Sequence, residues 1–158
     1  MVTKVTVAWG TVAKQALLAG MAAGAIIECY LWFTTMLPAH ASILASWQWI
    51  ASTAVGPVAL ANPSFAWLGL ALHFIVSIGW AGGYAYLAQL QPSLNARWPI
   101  SGVVYGLVVL VFMNVLLVGA HAFTFPDSPN AFLNELVAHG VFFGLPLAYV
   151  VAAMDHKH

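Results

Sequence analysis

Glu28, His73, Asn114 and His139 are polar residues set inside long apolar runs, and His40, His121 and Glu135 stand nearer the ends of those runs. Two imidazoles at one level of a helical bundle are the arrangement that ligates a b-type haem from both faces. Adding Glu28 or Glu135 makes a His/Glu set for a transition metal such as zinc, iron or copper. The same groups suit proton transfer, because histidine titrates near neutral pH and buried ionisable groups in membranes mark relays. A quinone headgroup held between His and Asn is also compatible. Against these stands a plainer use: an imidazole that bonds a carboxylate or backbone carbonyl on the next helix clamps a bundle, worth about 1–2 kcal/mol at most.

Spacing supports one polar layer. His73 lies ten residues after Pro63 and His139 ten after Pro129. At 1.5 Å per residue both fall roughly 10–15 Å below the start of their helices. Glu28 lies nine residues before Leu37 and Asn114 eight before Ala122, which brings both to the same level if their helices run the other way. Glu135 is one turn from His139, His121 is two turns from Asn114, and His40 and Asp127 lie beyond. These would line a path running inward from the outer face.

The elements that must position them are membrane helices. Of 158 residues, 63% are hydrophobic and 5% charged, where soluble domains carry about 25% charged residues. Mean hydropathy is +0.92. Four apolar segments have spanning length, about 12–37, 63–90, 99–122 and 129–154, since a bilayer core needs roughly 20 residues per helix. The first is too long for a signal core of roughly 7–15 residues and reads as a retained helix. Asn62-Pro63 and Ser128-Pro129 each supply an N-cap followed by proline, Trp98-Pro99 opens the third span and Pro38 closes the first. The segment 41–55, with Trp47 and Trp49, is too apolar for a linker and reads as an interfacial or re-entrant helix. Lys4, Lys14, Arg97 and Lys157 fall on one side of a four-span topology, and the loops on the other side contain no Lys or Arg. The positive-inside rule then places both termini in the cytoplasm.

Each span carries a glycine pair at four-residue spacing: Gly20/Gly24, Gly79/Gly83, Gly102/Gly106 and Gly140/Gly144. Such pairs let helix backbones approach closely. The matching Pro–His spacings also suggest a duplicated two-helix hairpin. The expected architecture is all-α, an up-down four-helix membrane bundle with one added interfacial helix.

Several classes fall away. Net charge is zero, so nothing supports nucleic-acid binding. Cys29 is the only cysteine, which excludes an intrachain disulfide. There is no nucleophile elbow, phosphate-binding loop or zincin motif, and enzyme activity is not the expectation. The tail "MDHKH" reads as a solvated end.

The stretches "ASTAVGPVAL", "LGLALHF", "SGVVYGLVVLVFMNVLLV" and "FLNELVAHGVFFGLPLAYV" resemble small bacterial inner-membrane proteins of no assigned function, and are loosely similar to the YagU-like group. The resemblance covers the chain from about residue 47 onward. It implies four spans in a bacterial inner membrane and transfers no catalytic residue. The function expected is a membrane protein whose outward-facing His/Glu/Asn layer binds haem or a metal for redox or proton transfer. The alternative is a non-catalytic accessory or scaffold subunit of a membrane complex. The bilayer is the one partner implied throughout; a larger membrane complex or a homo-oligomer would use the glycine faces.

Overall fold

The computed structural model describes residues 6–119 and 128–155. Four of its helices are long and apolar enough to cross a membrane: Trp9–Met36, Pro63–Leu90, Trp98–Leu117 and Pro129–Asp155. The shortest has 20 residues, about 30 Å at the α-helical rise, which matches a hydrocarbon core. The chain is a multi-pass membrane protein, and no strand occurs among the described residues.

The first span is α1 (Trp9–Leu31) extended by a π-helical turn, Trp32–Met36. A tight turn with His40 at φ 55° leads into α2 (Ile43–Val55) and the single turn α3 (Val58–Ala61). Ser42 caps α2, its Oγ accepting from the Ala45 amide at 3.3 Å. Gly56 ends α2 at φ 80°, a backbone region where glycine avoids the Cβ penalty. Asn62 caps the next entry, its Oδ1 accepting from the Ser64 amide at 3.0 Å; a 3-10 turn then leads into α4 (Ala66–Leu90). A short turn, α5 (Ser93–Ala96), connects to α6 (Trp98–Gly119). The last span is α7 (Pro129–Val137), a π-helical segment Ala138–Gly144 and α8 (Leu145–Asp155). Ser128 caps it through the Ala131 amide at 3.2 Å.

Small residues set the packing. Ala19, Ala23, Ala81, Ala85, Ala138 and Ala148 are fully buried, so backbones rather than long side chains meet. α1 packs along α4 on one side and along the π segment and α8 on the other, while α6 packs on the π segment and α8. α4 and α6 meet mainly through rings: the Tyr105 hydroxyl donates to the Trp80 carbonyl at 2.7 Å, and Trp80 stands edge-on to Phe112 at 5.2 Å. The Ala8 amide donates to Gln89 Oε1 at 2.8 Å, and Gln15 Nε2 donates to Asp155 Oδ1 at 2.7 Å. The start of α1 and the ends of α4 and α8 therefore share one end of the bundle, the terminal end below. α2 and α7 lie toward the other, the loop end.

The glycines divide sharply. A Cβ on Gly106 would lie 2.0 Å from the His139 carbonyl oxygen, and one on Gly144 2.1 Å from that of Gly102. Those approaches belong to α6 against the last span, where no side chain larger than glycine's hydrogen fits. Gly20 sits against Ile78, Gly24 against Ser77 and Gly83 against the Tyr105 hydroxyl, whereas Gly140 leaves ordinary room. Gly79 has nothing within 4 Å, so its place in the four-residue pattern corresponds to no contact. The tightest approach is one outside that pattern: a Cβ on Gly69 would lie 1.8 Å from the Trp47 carbonyl oxygen, where α2 crosses α4.

Candidate functional site

The polar groups of the loop-end half are placed by three kinds of local structure. On α1, Glu28 is 6% exposed. Its Oε1 accepts from the Ser46 hydroxyl at 2.5 Å, so the first turn of α2 folds back over the carboxylate. A buried carboxylate needs such a donor, because an unpartnered one loses its hydration without return. Trp47, the next residue, puts its ring edge-on to His73, with centroids 5.5 Å apart.

His73, on α4, bonds the Gly24 carbonyl oxygen through Nε2 at 2.9 Å. A carbonyl only accepts, so Nε2 carries the hydrogen and a neutral ring leaves its lone pair on Nδ1. The bond ties α4 to α1 where Gly24 lets the helices close. The Nε2 atom needed for axial haem ligation is thus engaged with backbone.

His139 lies in the π segment, and its ring is held the opposite way round. Nδ1 is 3.1 Å from the Glu135 carbonyl oxygen and 3.3 Å from Glu135 Oε2. Both are acceptors when Glu135 is ionised, so Nδ1 donates and the neutral ring has its lone pair on Nε2. Nε2 has no hydrogen-bond partner among the described residues. The side chains of His139 and Glu135 are 18% and 29% exposed. His139 shares its face with buried Phe143 one turn on, while exposed Val141 and Tyr149 mark the outward face. The imidazole is half-buried, at the level where the His139 carbonyl meets α6 at Gly106. π segments of this kind recur at functional positions in helices.

Asn114 follows buried Leu110 by one turn on α6, and its Nδ2 donates to the Leu110 carbonyl at 2.9 Å. It is satisfied within its own helix. His40 is exposed in the turn before α2. His121 and Asp127 lie outside the described residues, as do Lys4, His156, Lys157 and His158. No hydrogen bond or ion pair joins any two of Glu28, His73, Asn114 and His139 among the described residues. Nor do those residues contain a group of three or more His, Cys, Asp or Glu placed to hold a metal ion. The site divides in two: Glu28–Ser46 and His73–Trp47 around α1, α2 and α4, and Glu135–His139 on the last span.

Other polar groups were not singled out by sequence. Tyr30 donates to Asn134 Oδ1 at 2.7 Å, and Asn134 Nδ2 reaches Thr35 Oγ1 at 3.4 Å, pinning α1 to α7 near the loop end. Tyr30 also stacks on Phe142, centroids 4.0 Å apart. Asn134 directly precedes Glu135, so its role was within reach of the helical spacing; Ser46 carried no comparable signal. At the terminal end, Asp155 is held by side chains from α1 and α5, which differs from the solvated tail expected of "MDHKH".

Fold and site together define a multi-pass helical membrane protein with buried and half-buried ionisable groups in one half of its bundle. No protein-family model, curated protein or solved structure matches the chain.

Proposed function

We propose that this membrane protein works in proton transfer, with His139 as the group that takes up and releases the proton and Glu135 as the residue that orients it. The observation that carries this reading is the asymmetry of the His139 ring: Nδ1 is fixed by Glu135, and Nε2 keeps its lone pair with no hydrogen-bond partner among the described residues. A carboxylate on the far nitrogen holds the ring in one tautomer and one orientation, so that Nε2 is the nitrogen presented for exchange. The same nitrogen suits a metal or haem iron, but His73 offers no matching Nε2, so proton exchange accounts for more of the geometry. Lys14 adjoins the terminal-end residue Gln15, Arg97 lies two residues beyond Asn95, and loop residues 38–62 carry no Lys or Arg. The positive-inside rule then puts the terminal end in the cytoplasm and opens the His139 half outward, in a bacterial inner membrane.

Proton flux into vesicles reconstituted with the protein, driven by an imposed membrane potential and read by a pH-sensitive dye, tests the proposal. The wild type is expected to carry protons, His139→Phe to lose that flux and Glu135→Gln to weaken it severalfold. Flux unchanged in His139→Phe, or no wild-type flux above that of empty vesicles, would contradict it.

A second reading, an accessory subunit, draws on the outward face of α6. Val104, Leu107, Val108, Val111, Phe112 and Val115 line a shallow, wholly apolar groove of about 470 Å³. A partner helix seated there would make co-purification sensitive to Val108→Trp and indifferent to His139→Phe.

A further inference from the structure

α7 carries Glu135, yet core packing does not fix how this helix sits. None of its nine residues, Pro129–Val137, is buried, and Phe132 and Leu133 are largely exposed. α7 ends where the π segment begins at Ala138, so Glu135 and His139 stand on opposite sides of that junction. A π turn holds more residues than an α turn. The angle between two side chains four residues apart across the junction therefore depends on how the junction is held. The contacts of 3.1 and 3.3 Å from His139 Nδ1 to Glu135 are sensitive to that angle, because a hydrogen bond weakens steeply as it bends.

One side chain of α1 grips the junction from both sides. The Tyr30 hydroxyl donates at 2.7 Å to Asn134 Oδ1, on the residue just before Glu135. The Tyr30 ring stacks on Phe142, three residues after His139, with centroids 4.0 Å apart. Asn134 Nδ2 also reaches Thr35 Oγ1, but at 3.4 Å this is a long and weaker tie. The Tyr30 bond is thus the stronger of the two that orient α7. We propose that Tyr30 is a positioning residue for His139. Through Asn134 it sets the orientation of α7 at which Glu135 reaches Nδ1, so that Nε2 is the nitrogen that exchanges. The proposal rests on proton transfer at His139 and names the contact that prepares the ring for it. Tyr30 takes no proton from the imidazole, since its hydroxyl hydrogen is engaged with Asn134.

Nitrogen NMR of the histidine-labelled full chain in lipid nanodiscs, with proton flux into vesicles measured alongside, tests the proposal. Tyr30→Phe keeps the stack on Phe142 and removes the bond to Asn134. It is expected to turn the single His139 tautomer into a mixture of both and to lower flux severalfold, while the His73 signals stay in place. Asn134→Leu removes the same bond from the other side and should reproduce both effects. Combining the two should add nothing further, as two changes to one interaction require. A contact that served stability alone would lower Tm without moving the tautomer. A His139 spectrum unchanged by Tyr30→Phe therefore overturns the positioning role, whatever happens to Tm. If Tyr30→Phe does not fold, Asn134→Leu decides by the same criterion. A tautomer shift in a protein whose wild type carries no flux would support the role of Tyr30 and remove proton transfer instead.

Discussion

His73 and His139 each stand ten residues beyond the proline that opens their helix, yet the two rings carry their hydrogens on opposite nitrogens. Around His73 the decisive neighbour is another helix. α4 lies so close to α1 that the Gly24 carbonyl, 2.9 Å away, takes the Nε2 hydrogen, and Trp47 from α2 closes over the ring. Around His139 the decisive neighbour is its own helix, where Glu135 one turn back takes the Nδ1 hydrogen. One histidine is used up in holding helices together, and the other keeps a basic nitrogen for exchange. Equal spacing from a landmark does not give equal chemistry; the partner that comes within reach decides it.

The contrast can be broken or sharpened by substitution, and the largest effect is expected where the last span meets α6. Gly106→Val drives a side chain into the His139 carbonyl and should cost about 1–3 kcal/mol or more. Gly79→Ala in α4 should stay within about 0.5 kcal/mol, since nothing lies within 4 Å of it. Equal unfolding stability of the two variants in detergent would remove the close approach that frames the π segment. Next comes Ser46→Ala, which strips Glu28 of its donor and should destabilise by about 1–3 kcal/mol. Adding Glu28→Gln to Ser46→Ala should recover part of that loss, because a neutral amide is cheaper to bury than an unpartnered carboxylate.

Smaller effects separate the two histidines directly. His73→Phe should cost about 1 kcal/mol of stability, the scale of an interhelical hydrogen bond in a membrane. His139→Phe should change stability by less than about 0.5 kcal/mol while abolishing proton flux into reconstituted vesicles. A larger stability loss at His139 than at His73, measured by the same unfolding assay, would reverse the assignment of roles. Asn114→Leu is expected to be the mildest, within about 0.5 kcal/mol, because the amide serves only its own helix.

What was legible in the sequence follows from how each feature is encoded. The spans announce themselves because lipid demands about 20 apolar residues, and the caps at Asn62 and Ser128 because they stand before proline. Partners are another matter. The acceptor for His73 is a backbone carbonyl, which has no residue-type signature, and the donor for Glu28 is a serine in a loop helix whose fold-back nothing local dictates. The π segment Ala138–Gly144 coincides with the stretch that meets α6 at Gly102 and Gly106, and no motif marks it. Glycine spacing named the close contact at Gly106 and Gly144 but also Gly79, which touches nothing, and it passed over Gly69, an isolated glycine at the tightest crossing. Asp155 read as part of a solvated tail because Gln15 and Asn95 meet it only through the topology of the whole bundle.

The central claim is that the two rings differ in tautomer, and nitrogen NMR of histidine-labelled protein in lipid nanodiscs measures that directly. At a pH where both rings are neutral, His73 is expected to be protonated at Nε2 and His139 at Nδ1, with His139→Phe and His73→Phe assigning the signals. Both rings in the same tautomer, or His139 protonated at Nε2, would contradict it.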